Sequence, residues 1–533
     1  MPVLTLVDVL GIQRYVYATN RLRDVVGGSL LVDEASSRGL VTSKSFATDG
    51  ELVFGAGGNL LLSFSDLPRA RQFAAQYSRW LLDSAPGLEA CIVHLPYDPR
   101  KLKDAAVDIR QQMQQAKMSR LPAGDLPGIG IEEPCIATGL PAQGLETNDD
   151  GGLEAISRGV ELRRKEFGKA AKDCATRRTD LHKPLVYPAE LDRLGRSSGE
   201  ISLMGVVHID GNGIGRRLDD WLTEFEGDDD QLKAKYREVS DGLSDLANRT
   251  FNHLEEKAIE LIDEDGKGGG AIKNPLTGAS FSLYTQDGSL CAPLRPILIA
   301  GDDLTFVCEG RLALALAAEG LRFFEAQGIP ELGTATACAG VALVKTHAPF
   351  VRAYELSEAL CRSAKKVSRG VAVNGQPAPS ALDWQINLSS PSEIVDSIRE
   401  AGASGLKMSC RPYMIESARA TAPMCWKWME DKVLTNQGHG FLGNPNDRTA
   451  QGWHRHRNKL KKLPELALGG PESVLSALEA WQVAHSYLQL PCGKEGFSDG
   501  ATYLLDAVEL LDIYYPLKSE EGDKAGADTQ TGD

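Results

Sequence analysis

The stretch PILIAGDDLTFV, residues 296–307, sets two adjacent acids, Asp302 and Asp303, between two apolar runs. Short apolar runs bounded by Gly and Asp predict two buried strands joined by a tight turn. Carboxylates held at such a turn cost several kcal/mol per ion unless something cationic meets them. The flanking sequence extends the pattern. MGVVHIDGNGIGRRL (204–218) reads as a strand, a Gly-rich turn and a helix start, and RLALALAAEGLRFFEAQ (311–327) has helical spacing. GTATACAGVALVK (333–345), FVRAYELSEALCRSAKKVSRG (350–370) and SALDWQINL (380–388) read as strand, helix and strand. The order β, α, ββ, α, β, α, β predicts an α+β fold, an antiparallel-centred sheet with helices on one face.

The N-terminal region repeats this order. VLTLVDVLGIQRYVY matches the first strand and turn, with Asp8 opposite Asp210, and AGGN (56–59) lies over AGDD (300–303) without a gap. LPRARQFAAQYSRWLL and GLEACIVHL match the next helix and strand. Asp8 to Gly58 is 50 positions and Asp210 to Asp302 is 92, so the second copy carries about 42 extra residues. They are expected in the polar TEFEGDDDQLKAKYREVSDG region and the loop DEDGKGGGAIKNP. Such a repeat speaks to architecture directly. It also poses a contrast, because Gly58 and Asn59 stand where the second copy has Asp302 and Asp303.

The bulk composition sets limits. At 533 residues the chain has room for roughly three or four domains. Its 58 Lys and Arg against 73 Asp and Glu give −15, which removes any global attraction for nucleic acid. The N-terminus lacks a basic leader, and no apolar run is long enough to span a bilayer, so no membrane partner is expected. Ten scattered cysteines without a CxxC pair predict reduced, structural thiols in a cytoplasmic protein. Residues 517–533, polar and small, are expected to be disordered.

If the first strand lies beside the hairpin, Asp210, Asp302 and Asp303 converge at one sheet edge, where like charges require a cation. Oxygen-only ligands suit Mg²⁺ or Mn²⁺, which also take phosphate oxygens. The turn Gly211, Asn212, Gly213, Ile214, Gly215 precedes a helix, so its N–H groups suit a polyphosphate. Gly301 completes the hairpin turn, and Lys365 and Lys366, late on the 350–370 helix, could reach phosphates. Alone, AGDD is an ordinary turn sequence, and a Lys pair near a helix C-terminus is usually a solvated one.

These residues resemble the palm domain of class III nucleotidyl cyclases and polymerases. More closely, LRPILIAGDDLTFV, HIDGNGIG, ACAGVALVKTHAPFVRAYELSEALCRSAKK and ALDWQI, with GIQRYVY, LRDVVGGSLLVDEA and VFGAGGNLLL at the front and CRPYMIESA further on, resemble the large subunit of type III CRISPR effector complexes. The resemblance covers most of residues 1–420 in matching order. It implies two ferredoxin-like palms in tandem plus a C-terminal α-helical domain. The expected division is a degenerate first palm (1–125), a linker with a degenerate zinc ribbon (126–200), a catalytic second palm (201–395), a helical domain (396–516) and a tail (517–533). It also implies a nucleotidyltransferase that makes a cyclic oligonucleotide signal from ATP or another NTP, releasing pyrophosphate, in antiviral defence. Asp210, Asp302 and Asp303 would be catalytic and, with the Gly211 carbonyl, would hold the metals.

Three departures qualify the resemblance. No HD nuclease segment is expected ahead of the first palm, so single-stranded DNA cleavage of that kind is not implied. Near PCIATGLPAQGLE (134–146) only Cys135 remains of a CxxC pair, with Cys174 far off, so no zinc is expected there. Ala300 replaces the first Gly of the family's GGDD and is expected to crowd the turn or narrow the nucleotide slot.

Residues 405–465 carry 11 Lys and Arg against 5 Asp and Glu. A solvated face is the plain reading; contact with RNA or another effector subunit is the functional one. His454 and His456 are expected at the surface. PESVLSALEAWQVAHSYLQL and ATYLLDAVELLDIYYPL are expected to form amphipathic helices packed on each other. The rivals to a synthase are a non-catalytic RNA-binding scaffold and a diguanylate-cyclase-like enzyme. The second wall of the site could come from the first palm or from a homodimer.

Overall fold

A computed structural model describes residues 1–41, 50–120, 130–148, 151–173, 185–195, 203–264, 269–373, 376–387, 406–416, 423–436, 440–444, 446–447, 452–491 and 495–518. The expected tail 517–533 and Cys174 lie outside the described residues, Leu517 and Lys518 excepted, and so does part of the basic region 405–465.

The N-terminal sheet contains β1 (Val3–Leu10), β2 (Glu51–Ala56), β3 (Asn59–Phe64) and β4 (Glu89–Pro96), in the order β2-β3-β1-β4. Its helices are α1 (Leu22–Ser36), α2 (Leu67–Ser84) and α3 (Leu102–Ser119). After α4 (Arg158–Asp173) comes β5 (Leu203–Gly211), then α5 (Ile214–Glu224) and α6 (Asp229–Ile259). The hairpin β6 (Leu294–Ala300) and β7 (Asp303–Glu309) leads to α7 (Ala313–Ala326), β8 (Ala337–Lys345), α8 (Phe350–Gly370), β9 (Ala381–Asn387) and β10 (Tyr413–Met414). The second sheet runs β6-β7-β5-β8-β9-β10.

The repeat is visible in register. Asp8 pairs with Asn59 and Asp210 with Asp303. Both hairpins carry a bulge at the same place, between Leu52 and Phe54 and between Pro296 and Leu298. Pro296 fits there because β6 is an edge strand. Both turns after the first strand put a left-handed glycine before a helix, Gly11 at φ 62° and Gly213 at φ 65°.

Helices do not lie on one face of the second sheet, as the order of elements led us to expect. Val207 and Ile209 of β5 join one core with Leu314, Leu316 and Leu321 of α7, while Met204 and Val206 join another with Tyr354 and Leu360 of α8. The continuous apolar run MGVVHI is the signature of a strand buried on both sides rather than one. Both cores draw residues from both halves of the chain.

The extra length of the second copy is mainly the 31-residue α6. A capping box starts it: Asp228 accepts from the Gln231 N–H at 2.8 Å, and Gln231 accepts from the Asp228 N–H at 3.2 Å. Tyr236, Val239, Leu243, Leu246 and Leu254 form its buried stripe. Ser240 Oγ donates to the Gly55 carbonyl at 2.8 Å and accepts from the Gly55 N–H at 2.9 Å, so the insert grips the first hairpin.

Within the expected linker, α4 packs on α1. Arg164 Nε is 2.8 Å from Asp24 Oδ1, and the Arg163 guanidinium lies 4.1 Å from the Tyr15 ring centroid. The expected boundary at 395 lies outside the described residues; on either side of it, β10 extends the second sheet and Trp384, Tyr413 and Trp426 share one aromatic cluster. The basic region is partly internal. Arg411 is buried against Asp506 at 2.9 Å, and Arg457 pairs with Asp512. His454 is buried beside Gly443 rather than at the surface, because Trp453 and His454 turn into the core as a 3₁₀ turn. The helices Pro471–Gln482 and Leu504–Glu509 pack on Leu463–Leu468 between them rather than mainly on each other. No helix among the described residues is long and apolar enough to cross a membrane.

Candidate functional site

Asp210, next to last in β5, lies directly opposite Asp303, the first residue of β7. Directly opposed residues of paired strands point to the same face, so the two carboxylates share the face covered by α8. Asp302 sits in the turn and lies against Gly211, where an added Cβ would come within 2.6 Å of Asp302 Oδ2. The turn thus fixes a glycine at 211 by close approach. The three predicted acids are brought together.

From α8, Lys365 Nζ reaches Asp210 Oδ2 at 2.6 Å and donates to the Gly211 carbonyl at 2.8 Å. Among the described residues, three carboxylates therefore face one cationic side chain, Lys365. None of the described residues donates a hydrogen bond to Asp303 Oδ1. His208 Nδ1 lies 3.3 Å from it but is engaged with Thr305 Oγ1 at 2.9 Å. Burial, then the Asp210 charge, pushes the Asp302 carboxyl up to about 6. Burial, Asp210 and Asp302 push Asp303 well above the carboxylate range, although 24 % of that side chain still meets solvent. Burial takes His208 down to about 4, so it stands neutral.

The other predicted residues divide. Gly213 and Gly215 are exposed at the start of α5, with open space where a Cβ would be. The Ile214 side chain is buried against Gly211. The Asn212 side-chain amide donates to Thr336 Oγ1 at 3.3 Å, the Ala378 carbonyl at 3.3 Å and the Pro379 carbonyl at 3.4 Å, and its N–H donates to the Thr336 carbonyl at 2.8 Å. It clamps the turn to its neighbours. Lys366 is exposed, a hundred degrees around the helix from Lys365. The Ala300 methyl packs against a core rather than into the turn.

Gly301, at φ 66°, abuts the first hairpin: a Cβ there would stand 3.2 Å from Gly57 Cα. Between the two halves opens a cavity of about 570 Å³. Asp8, Asn59 and Lys117 line it from one side and Gly215, Gly301 and Asp302 from the other, over Leu61, Met113, Leu218 and Tyr236. Lys117 pairs with Asp8. Lys117 lies on the helix after β4, as Lys365 lies on the helix after β8. The first half therefore keeps an Asp–Lys pair equivalent to Asp210–Lys365 while lacking the hairpin acids.

Sequence reasoning missed His208, Cys361 and Lys117. Strand and helix periodicity could have found the first two. His208 is two residues from Asp210 on one strand face, and Cys361 is one helical turn from Lys365.

No protein-family model matches the chain, and no curated protein matches it. Solved structures do. A chain of the Csm1–Csm4 cassette in complex with cA4 is 14 % identical with a TM-score of 0.50, the match covering 95 % of this chain and 69 % of that one. Csm1 in T. onnurineus is 13 % identical with a TM-score of 0.54, over 96 % and 70 %. The fold is that of Csm1. Csm1 is the large subunit of type III CRISPR Csm complexes, so the expected α+β architecture and its resemblance are met at the level of fold. The Csm1-like frame places the AGDD turn where the two halves of the chain meet.

Proposed function

We propose that the chain is a metal-dependent nucleotidyltransferase that joins ATP units into a cyclic oligonucleotide with release of pyrophosphate. The pairing of Asp210 with Asp303 across adjacent strands, with Asp302 in the connecting turn, carries this reading. Among the described residues, three acids are served by one lysine, which leaves an excess of negative charge, and no donor reaches Asp303 Oδ1. An all-oxygen set of this kind fits Mg²⁺ or Mn²⁺, held by Asp210, Asp302, Asp303 and the Gly211 carbonyl. When bound, the metal supplies charge neutralisation at the phosphates and a lowered pKa for an attacking ribose hydroxyl.

The chain's own residues do the rest. The open backbone at Gly213 and Gly215 lets phosphate approach the N-terminal N–H groups of α5. Lys365 orients Asp210 and stands ready to neutralise a terminal phosphate. The first half closes the cavity with Asp8, Asn59 and Lys117, which removes the need for a second chain as the opposite wall. ATP is the preferred substrate in this reading because a structure of similar fold is a complex with cA4. A further subunit, as in that Csm1–Csm4 cassette, and RNA at the outer part of 405–465 are the partners that follow.

The test is incubation of the purified protein with each radiolabelled NTP and Mg²⁺, with and without RNA, beside the Asp302→Ala/Asp303→Ala variant. Oligonucleotide product from ATP that disappears in a folded variant is expected. Product retained by the variant refutes the site, and absence of product under every condition favours the scaffold.

A further inference from the structure

Behind Asp210 the structure assembles metal-binding atoms of a second chemistry. A ring nitrogen of His208, a carboxylate oxygen of Asp210 and Cys361 Sγ all lie within 4.8 Å of one another. His208 and Cys361 are each only 2 % exposed, whereas the Asp210 side chain is 39 % exposed. An ion would therefore reach the set from the Asp210 side. Other groups already orient it. Thr305 Oγ1 holds His208 Nδ1 at 2.9 Å, and the Cys361 thiol donates to the Cys338 carbonyl at 3.2 Å. Lys365 Nζ sits on Asp210, and Asp303 Oδ1 lies 3.3 Å from the His208 ring.

We propose that His208, Asp210 and Cys361 form a site for a borderline-soft divalent ion, Zn²⁺ foremost, that shares Asp210 with the all-oxygen set. One nitrogen, one oxygen and one sulfur with a fourth position open is a donor set zinc accepts. Magnesium, which prefers hard oxygen and keeps its water, does not select thiolate or imidazole. A ring nitrogen fixed by a hydroxyl is the outer support that metal-binding histidines use. Binding forms a Zn–S bond and sends the thiol proton to solvent. The Cys338 carbonyl loses that hydrogen bond, and Lys365 gives up its hold on Asp210. Since Asp210 belongs to both sets, zinc removes it from the oxygen set and competes with magnesium. This inhibitory consequence rests on the nucleotidyl-transfer reading; the binding itself does not.

The full chain, freed of metal by a chelator, is titrated with Co²⁺ and then with Zn²⁺ against a chromophoric chelator. One equivalent of Co²⁺ is expected to give a thiolate-to-cobalt charge-transfer band. Cys361→Ser and His208→Asn each abolish the band and weaken Zn²⁺ binding by about a hundredfold or more. Cys135→Ser, at a buried thiol far from the acids in sequence, leaves both unchanged. Absence of the band, a band surviving Cys361→Ser, or one lost only with Cys135→Ser overturns the proposal. Circular dichroism without metal shows which variants fold, and either folded variant suffices. If Zn²⁺ binds as described yet leaves ATP turnover untouched, the sharing of Asp210 is refuted. A chain that shows the band but has no turnover with Mg²⁺ supports this site and counts against the proposed function.

Discussion

Replacing Asp302 with Asn should stabilise the metal-free protein at pH 8. Burial and Asp210 raise this carboxyl from 3.8 to about 6 in the folded chain, a difference equivalent to about 3 kcal/mol against the ionised form. Partial solvent access reduces this, so we expect about 1–2 kcal/mol. The sign follows from proton binding. Between about pH 4 and pH 6 the native state holds a proton that the unfolded state has released, so stability falls as pH rises through that window. The penalty is complete above about pH 6 and absent below the unfolded value. His208, held near 4 when folded, has the opposite effect: its contribution is lost as pH falls from its unfolded value towards 4. It is present in both proteins and cancels to first order in their difference. The assay is urea denaturation in EDTA at pH 8 and at pH 4, wild type against Asp302→Asn. A variant more stable at pH 8 and indistinguishable at pH 4 is the expected result. A variant equal to or weaker than wild type at pH 8 would show that the acids are already compensated without metal, and the charge argument would be lost.

Other expectations concern single residues. Lys365→Met should lower kcat/KM for the nucleotide by about 10–100-fold, the worth of one charged hydrogen bond, while Lys366→Met leaves it unchanged; steady-state kinetics on both variants decide. Asn212→Ala should cost about 1–3 kcal/mol of stability through loss of the side-chain hydrogen bonds to Thr336 Oγ1 and the Ala378 carbonyl, the Pro379 carbonyl keeping its bond from Ser368 Oγ, with KM unaltered; a raised KM at wild-type stability would make it a nucleotide contact instead. Gly213→Ala meets only the left-handed φ, about 1–2 kcal/mol, whereas Gly301→Ala meets that cost and the Gly57 backbone 3.2 Å away; equal denaturation midpoints would refute the close approach of the two hairpins.

Much of this protein was legible along the chain because its repeat is written in local patterns. Short apolar runs marked the strands, Gly and Asp marked the turns, and the ungapped AGGN–AGDD correspondence matched the shared register that places Asp8 on Asn59 and Asp210 on Asp303. Strand pairing converts sequence position directly into spatial position, so the three acids could be brought together on paper. What the sequence could not supply were contacts that depend on how helices and halves pack. Burial of the second sheet on both faces set α8 rather than α7 over the acids, which is why Lys365 reaches Asp210, Cys361 lies behind it and Lys366 points away. The meeting of Gly57 with Gly301, the cavity beside it and the anchoring of Asn212 are likewise decided by tertiary structure. Each is a long-range contact chosen by the shape of a shared core, and no spacing within one element encodes it.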